Sequence, residues 1–143
     1  MQKESEINRI VSLIFTTSRL IRERSKGKDH PDPISFLRLE TLRYVADHKN
    51  PTMREIALYL CITPPSTTSL IDDLVKSKML ERVFDKNDRR IVRLSVTEKG
   101  RETIRKGFGQ IAKRFKKVLL KLSADDRENL VMILEKLSQA YSK

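Results

Sequence analysis

Cysteine, glycine and long apolar runs are all scarce in this chain, and each scarcity removes a class of function. One cysteine, Cys61, leaves no partner for an internal disulfide, which points to a reducing, cytoplasmic setting. Cys61 is expected to be a buried structural thiol rather than an oxidation sensor. His30 and His48 fall in loops with no evident partners, and with Cys61 they form no Cys-x-x-Cys or His-x-x-x-His spacing, so neither a metal nor a cofactor is expected. Four glycines form no phosphate-cradling loop, and no nucleophile elbow is present, which argues against an enzyme. The longest apolar runs, such as Val11-Ser12-Leu13-Ile14-Phe15, fall far short of the ~20 residues a membrane span needs. The acidic start, Met1-Gln2-Lys3-Glu4-Ser5-Glu6, is not that of a signal peptide.

What remains is charge and periodicity. The 143 residues carry 30 Lys and Arg against 19 Asp and Glu, a net charge of +11. With 38% hydrophobic residues in periodic segments, the length suits one compact domain rather than a disordered chain. From Lys99 to Lys121 nine bases face a single acid, Glu102. Such a run is either a solvated helix face or the mark of an anionic partner, nucleic acid or membrane surface, and charge alone does not choose.

Apolar residues at three-and-four spacing (Ile7, Ile10, Val11, Ile14, Ile21) predict a first helix over residues 5–25, and Leu13, Phe15 and Leu20 add apolar groups on its other faces. The stretch from Lys26 to Pro33 is loop-like. Ser35 can cap a second helix that turns Phe36, Leu39, Leu42, Val45 and Ala46 inward, before a break at Asn50-Pro51. Thr52 and Glu55 form a capping box on a third helix whose narrow inner face is Ile56, Ala57 and Leu60. After the short turn Cys61-Ile62-Thr63, Thr63 caps a fourth helix. Pro64 and Pro65 stand in its first turn, where a missing amide hydrogen costs nothing, and Leu70, Ile71 and Leu74 face the core. Met79–Phe84 and Ile91–Val96 read as strands around a polar tip, hence a hairpin. Thr97 caps a long fifth helix to about Leu122, and Ser123 a sixth with Leu130, Ile133, Leu134, Leu137 and Tyr141 on one stripe. The order predicts a mainly α chain with a small β-hairpin: a helix-turn-helix with a wing.

The segment Leu80-Glu81-Arg82-Val83-Phe84-Asp85-Lys86-Asn87-Asp88-Arg89-Arg90-Ile91-Val92-Arg93-Leu94-Ser95-Val96-Thr97-Glu98-Lys99-Gly100 resembles the wing of the MarR family, which reads Asp-x-x-Asp-Arg-Arg, a strand, then Leu-Thr-x-x-Gly. Thr52-Met53-Arg54-Glu55-Ile56-Ala57 is similar to that family's helix before the recognition helix, and the element order matches over essentially the whole chain. The resemblance implies a dimeric winged helix-turn-helix transcription regulator, usually a repressor. It also implies that the first, fifth and sixth helices interlock between subunits and that a small ligand releases DNA. On that basis residues 1–33 and 100–143 are the expected dimerisation region, with Ile7, Ile10, Val11, Ile14, Leu130, Ile133, Leu134 and Leu137 in the interface. Residues 34–99 are the expected DNA-binding region. Departures from the family pattern are Lys78, where glycine is common, Ser69, where Arg or Lys is common, and Leu94-Ser95-Val96-Thr97 in place of Leu-Thr. A left-handed Lys78 would cost roughly 1 kcal/mol.

A recognition helix enters the major groove with its first turns nearest the bases, which here presents Pro64, Pro65, Ser66, Thr68 and Ser69. Hydroxyls discriminate base edges weakly, while methyl and ring carbons can pack on thymine methyls; Ser66 and Thr68 are also ordinary capping residues. In the wing, Lys86, Asp88, Arg89 and Arg90 are the candidates, with Arg90 entering the minor groove and Asp88 holding its guanidinium. Arg54, Lys76 and Lys99, and with them Arg101, are placed to meet phosphates. The expected partners are double-stranded DNA, a second copy of the chain and a small-molecule effector, with no membrane. The function the resemblance implies is a sequence-specific, homodimeric transcriptional regulator, usually a repressor, on a pseudo-palindromic operator. The alternative is a basic architectural protein binding DNA with little sequence preference.

Overall fold

The computed structural model describes residues 1–24 and 36–142. The chain divides into two units, Met1–Pro33 and Ile34–Lys143. The first is represented by a single helix, α1 (Gln2–Arg24), close to the predicted span. Ile7, Ile10, Val11, Leu13, Ile14 and Phe15 are all exposed along it, so the many-faced apolar pattern of the sequence is a surface of this helix. The predicted loop after it and the Ser35 cap lie outside the described residues.

The second unit runs α2 (Phe36–Asp47), α3 (Met53–Leu60), α4 (Pro64–Lys76), β1 (Leu80–Phe84), β2 (Val92–Val96), α5 (Glu98–Leu119) and α6 (Ala124–Tyr141). Its core gathers Leu42 and Val45 from α2, Ile56 from α3, Leu70, Ile71 and Leu74 from α4, and Leu80, Leu94 and Val96 from the hairpin. Burying each such side chain contributes about 1.5–3 kcal/mol. The buried stripe of α2 passes through Leu39, Thr41, Leu42 and Val45. That rotation corrects two expectations: Phe36 and Ala46 lie off the stripe and are exposed. Thr41 is tolerated inside because its hydroxyl donates to the Leu37 carbonyl at 2.7 Å.

The helix starts follow the cap chemistry of the sequence. Thr52 and Glu55 close a reciprocal capping box on α3, and Thr63, Thr97 and Ser123 accept from the third amide of α4, α5 and α6 respectively. The strands pair antiparallel in the register Leu80↔Val96, Arg82↔Leu94, Phe84↔Val92. An isolated bridge from Thr52 to Arg93, with Leu94 N–H donating to the Pro51 carbonyl at 2.9 Å, fastens β2 to the start of α3.

The end of α4 is where the second unit is knotted together. Lys78 adopts the left-handed conformation at φ 60°, as its position at a glycine-favouring turn requires. Thr97 Oγ1 donates to the Lys78 carbonyl at 2.6 Å, and Lys99 Nζ donates to the Ser77 carbonyl at 2.9 Å. Gly100 is buried against this turn; a Cβ there would overlap the Met79 carbonyl and stand 2.8 Å from Val96 Cγ1. Close approach of two backbones therefore explains the glycine.

Candidate nucleic-acid interface

The helix-turn-helix is set by its elbow. α3 ends at Cys61, whose left-handed backbone (φ 55°) is its C-cap, and Ile62 N–H returns to the Ala57 carbonyl at 3.3 Å. This geometry turns Cys61 out of the core. The thiol is exposed and reaches the Leu58 carbonyl at 3.6 Å, which corrects the expectation of a buried one. The inner face of α3 is fully buried only at Ile56, with Ala57 and Leu60 half-buried.

The start of α4 spends its own donors. Pro64 and Pro65 have no amide hydrogen, Ser66 N–H donates to Thr63 Oγ1 at 3.3 Å, and Thr67 N–H donates to the Thr63 carbonyl at 3.0 Å. Thr63 Oγ1 donates to Ser66 Oγ at 3.0 Å, and Thr68 Oγ1 donates to the Pro64 carbonyl at 3.1 Å. Pro64, Pro65, Ser66, Thr68 and Ser69 are all exposed, as the sequence predicted for a reading face, while Thr67 is buried and bonded back to Thr63. Beside them, α3 and α4 enclose an open cleft of about 660 Å³, lined by Arg54, Leu58, Cys61, Ile62, Pro64 and Thr68 among others.

The wing is organised by two carboxylates. Asp85 Oδ1 accepts from the Asn87 and Asp88 amides at 2.8 and 3.1 Å, and Asp85 Oδ2 accepts from Arg93 Nε at 2.6 Å. Arg93 also donates to the Asn50 carbonyl at 3.0 Å, so one guanidinium ties the wing to the turn before α3. Asn50 is left-handed there, at φ 47°. Asp88 holds Arg90 three times: Oδ1 accepts from the Arg90 amide at 3.0 Å and from Nε at 3.1 Å, and Oδ2 accepts from NH2 at 3.2 Å. That Asp88 holds the guanidinium was expected from the spacing, and the Arg90 side chain remains 92% exposed at the tip. Arg93 and the two amides hold the Asp85 carboxyl below its ordinary value, and Arg90 does the same for Asp88.

Lys86 and Arg89 are exposed at the same tip and make no ion pair among the described residues. Arg54 and Lys76 are exposed on α3 and α4. Lys99, expected to meet phosphate, is engaged with the Ser77 carbonyl, and Arg101 NH1 donates to the Val96 carbonyl at 3.2 Å. Lys99 therefore braces the turn after α4, and Arg101 the junction between β2 and α5.

Sequence reasoning missed Arg93, Asp85 and Asn50, whose only local signal was the first acid of Asp-x-x-Asp. It also missed that Arg82 pairs with Asp72 and Arg38 with Asp73, which draws both α4 carboxylates into ion pairs. His48 has partners after all: Nδ1 lies 2.7 Å from the Tyr44 carbonyl and its ring stacks on Tyr44 at 4.0 Å, with Tyr59 stacked on Tyr44 at 4.1 Å. Partial burial, then the hydrogen bond to Glu40, pushes the Tyr59 phenol up. Among the described residues no group of three or more His, Cys, Asp or Glu side chains is arranged to hold a metal ion. Among the described residues no helix is long and apolar enough to cross a membrane.

The geometry has relatives. Residues 33–91 match the family model described as MarR family. The chain is 29% identical over 137 residues to an uncharacterized HTH-type transcriptional regulator, YhbI, of Bacillus subtilis (strain 168), covering 91% of this chain and 89% of that one. Among solved structures it shares the fold of a MarR family protein from Bacillus stearothermophilus, with TM-score 0.83, 21% identity and 98% of both chains covered. It also shares that of FabT from Streptococcus pneumoniae, solved in complex with DNA, with TM-score 0.71, 23% identity and 96% of both chains covered. A helix-turn-helix, a wing and this likeness along nearly the whole length agree: residues 33–91 match the MarR family, and the chain has the winged helix-turn-helix fold of the MarR family structures.

Proposed function

We propose that this regulator is a homodimeric, sequence-specific repressor that binds a pseudo-palindromic operator through α4 and the wing and is released by a small-molecule effector. The observation that carries the reading is the Asp88–Arg90 fork, which fixes an otherwise solvent-borne guanidinium at the wing tip. A guanidinium held in this way suits the deepened negative potential of a narrow minor groove. Pro64, Pro65, Ser66, Thr68 and Ser69 meet the major groove, Lys86 and Arg89 flank Arg90, and Arg54 and Lys76 take phosphates.

Dimerisation is supported by apolar surface. Ile133, Leu134 and Leu137 of α6 are 51%, 56% and 45% exposed, and Ile7, Ile10, Val11 and Ile14 of α1 lie open in the same way. Large apolar side chains left exposed along a helix in this way mark an association face. In this reading residues 1–33 and 100–143 serve the dimer and residues 34–99 serve DNA. The effector follows from the family resemblance.

Selection of bound duplexes from a random pool near physiological salt tests the proposal, with sedimentation of the free protein beside it. The expected outcome is a dimer and an enriched inverted repeat whose half-sites lie about one helical turn, roughly 10 base pairs, apart. Tight, salt-sensitive binding with no enriched sequence would instead establish an architectural protein, the reading that the charge of +11 favours.

A further inference from the structure

We propose that the recognition helix reads the 5-methyl groups of pyrimidines: Pro64, Pro65 and Thr68 pack on thymine methyls of each half-site. This rests on the DNA-binding reading above and narrows it to a base chemistry.

The exposed start of α4 offers a base edge more carbon than hydrogen-bond donors. Guanine shows two acceptors in the major groove, so reading it demands donors. Here the donors are few. Two prolines remove two amides, and the next two amides are bonded to Thr63. The hydroxyl hydrogens of Thr63 and Thr68 are committed to Ser66 Oγ and to the Pro64 carbonyl. Both carboxylates further along the helix, Asp72 and Asp73, are in ion pairs with Arg82 and Arg38. What α4 does present in its first two turns is carbon: two pyrrolidine rings and the methyl of Thr68, with the hydroxyls of Ser66 and Ser69 beside them. Carbon on this scale matches one feature of the major groove, the C5-methyl of thymine. The diproline start makes the surface rigid as well, because each ring fixes its own φ.

The test uses the operator obtained by selection and changes one methyl at a time. Replacing each thymine of a half-site by uracil removes only the C5-methyl. At one or two positions this should weaken binding by about four-fold, the effect of one methyl-sized group losing its burial. At those positions a G·C pair carrying 5-methylcytosine should bind better than the same pair carrying cytosine. On the protein side, Thr68→Ser keeps the hydroxyl bonded to Pro64 and deletes only the methyl. It should leave the fold and the dimer unchanged and abolish discrimination between thymine and uracil at one position. An enriched operator whose half-sites bind equally with uracil throughout, or contain no thymine, overturns this inference and leaves the DNA-binding reading standing. A pool that yields no enriched sequence overturns both.

Discussion

The start of the recognition helix and the tip of the wing are built by opposite use of hydrogen bonds. At the helix start the polar groups turn inward, Thr68 to the Pro64 carbonyl and Ser66 to Thr63, and carbon is left outside. At the wing the carboxylates of Asp85 and Asp88 turn inward and the guanidinium of Arg90 is left outside. The first surface can distinguish shapes and methyls but carries no charge. The second carries charge and reads no base edge in particular. On the proposed reading, affinity and sequence preference fall to separate elements, and the two can be perturbed separately.

The largest effect should come from the place where both regions are anchored. Gly100→Ala forces a methyl into the Met79 carbonyl and Val96, beside the turn that joins α4 to the wing. A destabilisation of about 1–3 kcal/mol is expected, read as a lowered thermal midpoint, with both modes of DNA contact weakened together. An unchanged midpoint would mean that α5 is not clamped to that turn.

Next is Arg90→Ala. Binding should weaken by at least ~1 kcal/mol while the base preference of the half-site and the dimer persist. Equal affinity in the variant would remove the wing from the interface. Lost sequence preference would erase the division of labour between wing and helix.

A smaller effect follows from pH. Asp85 and Asp88 are held below the ordinary carboxylate value of about 3.9, so they stabilise the wing wherever the unfolded chain would have them ionised. That contribution is fully present above the ordinary value and is lost as pH falls through the lowered folded values. The gap in thermal midpoint between the native protein and Asp85→Asn should therefore be open at pH 7 and close as the pH drops below about 4. A gap that stays constant would dissociate the stability of the wing from these carboxylates. Smallest of all, Lys76→Ala should reduce the salt slope of binding by about one without altering which sequence is preferred.

How much of this was legible beforehand depends on distance along the chain. Caps at Thr52, Thr63, Thr97 and Ser123 are local chemistry, a hydroxyl and an amide three residues on, and all four stand where the sequence put them. The Asp88–Arg90 fork spans two residues and was equally readable. Arg93 was not, because its partner carbonyl at Asn50 is 43 residues away and only the folded chain brings them together. The hairpin register was open because Leu94-Ser95-Val96-Thr97 stands where Leu-Thr is usual; in the Leu80↔Val96 pairing both side chains are buried in the core. Cys61 was misjudged for a different reason. Its neighbours suggest a helix face, but a left-handed C-cap swings the side chain away from that face. Periodicity foretold the exposure of Pro64, Pro65, Ser66, Thr68 and Ser69, whereas the direction of their hydroxyls was not written in it.

The knot between Thr97, Lys99, Gly100 and the end of α4 makes α5 a lever. Its 22 residues extend about 33 Å from that fulcrum, and a tilt of only 5° would sweep its far end through roughly 3 Å. Read in the other direction, a side chain's width of movement at Leu119 arrives at the foot of the recognition helix as a few degrees of rotation. In the proposed dimer, the spacing between two such helices would follow how α5 leans, without any change inside the helix-turn-helix itself.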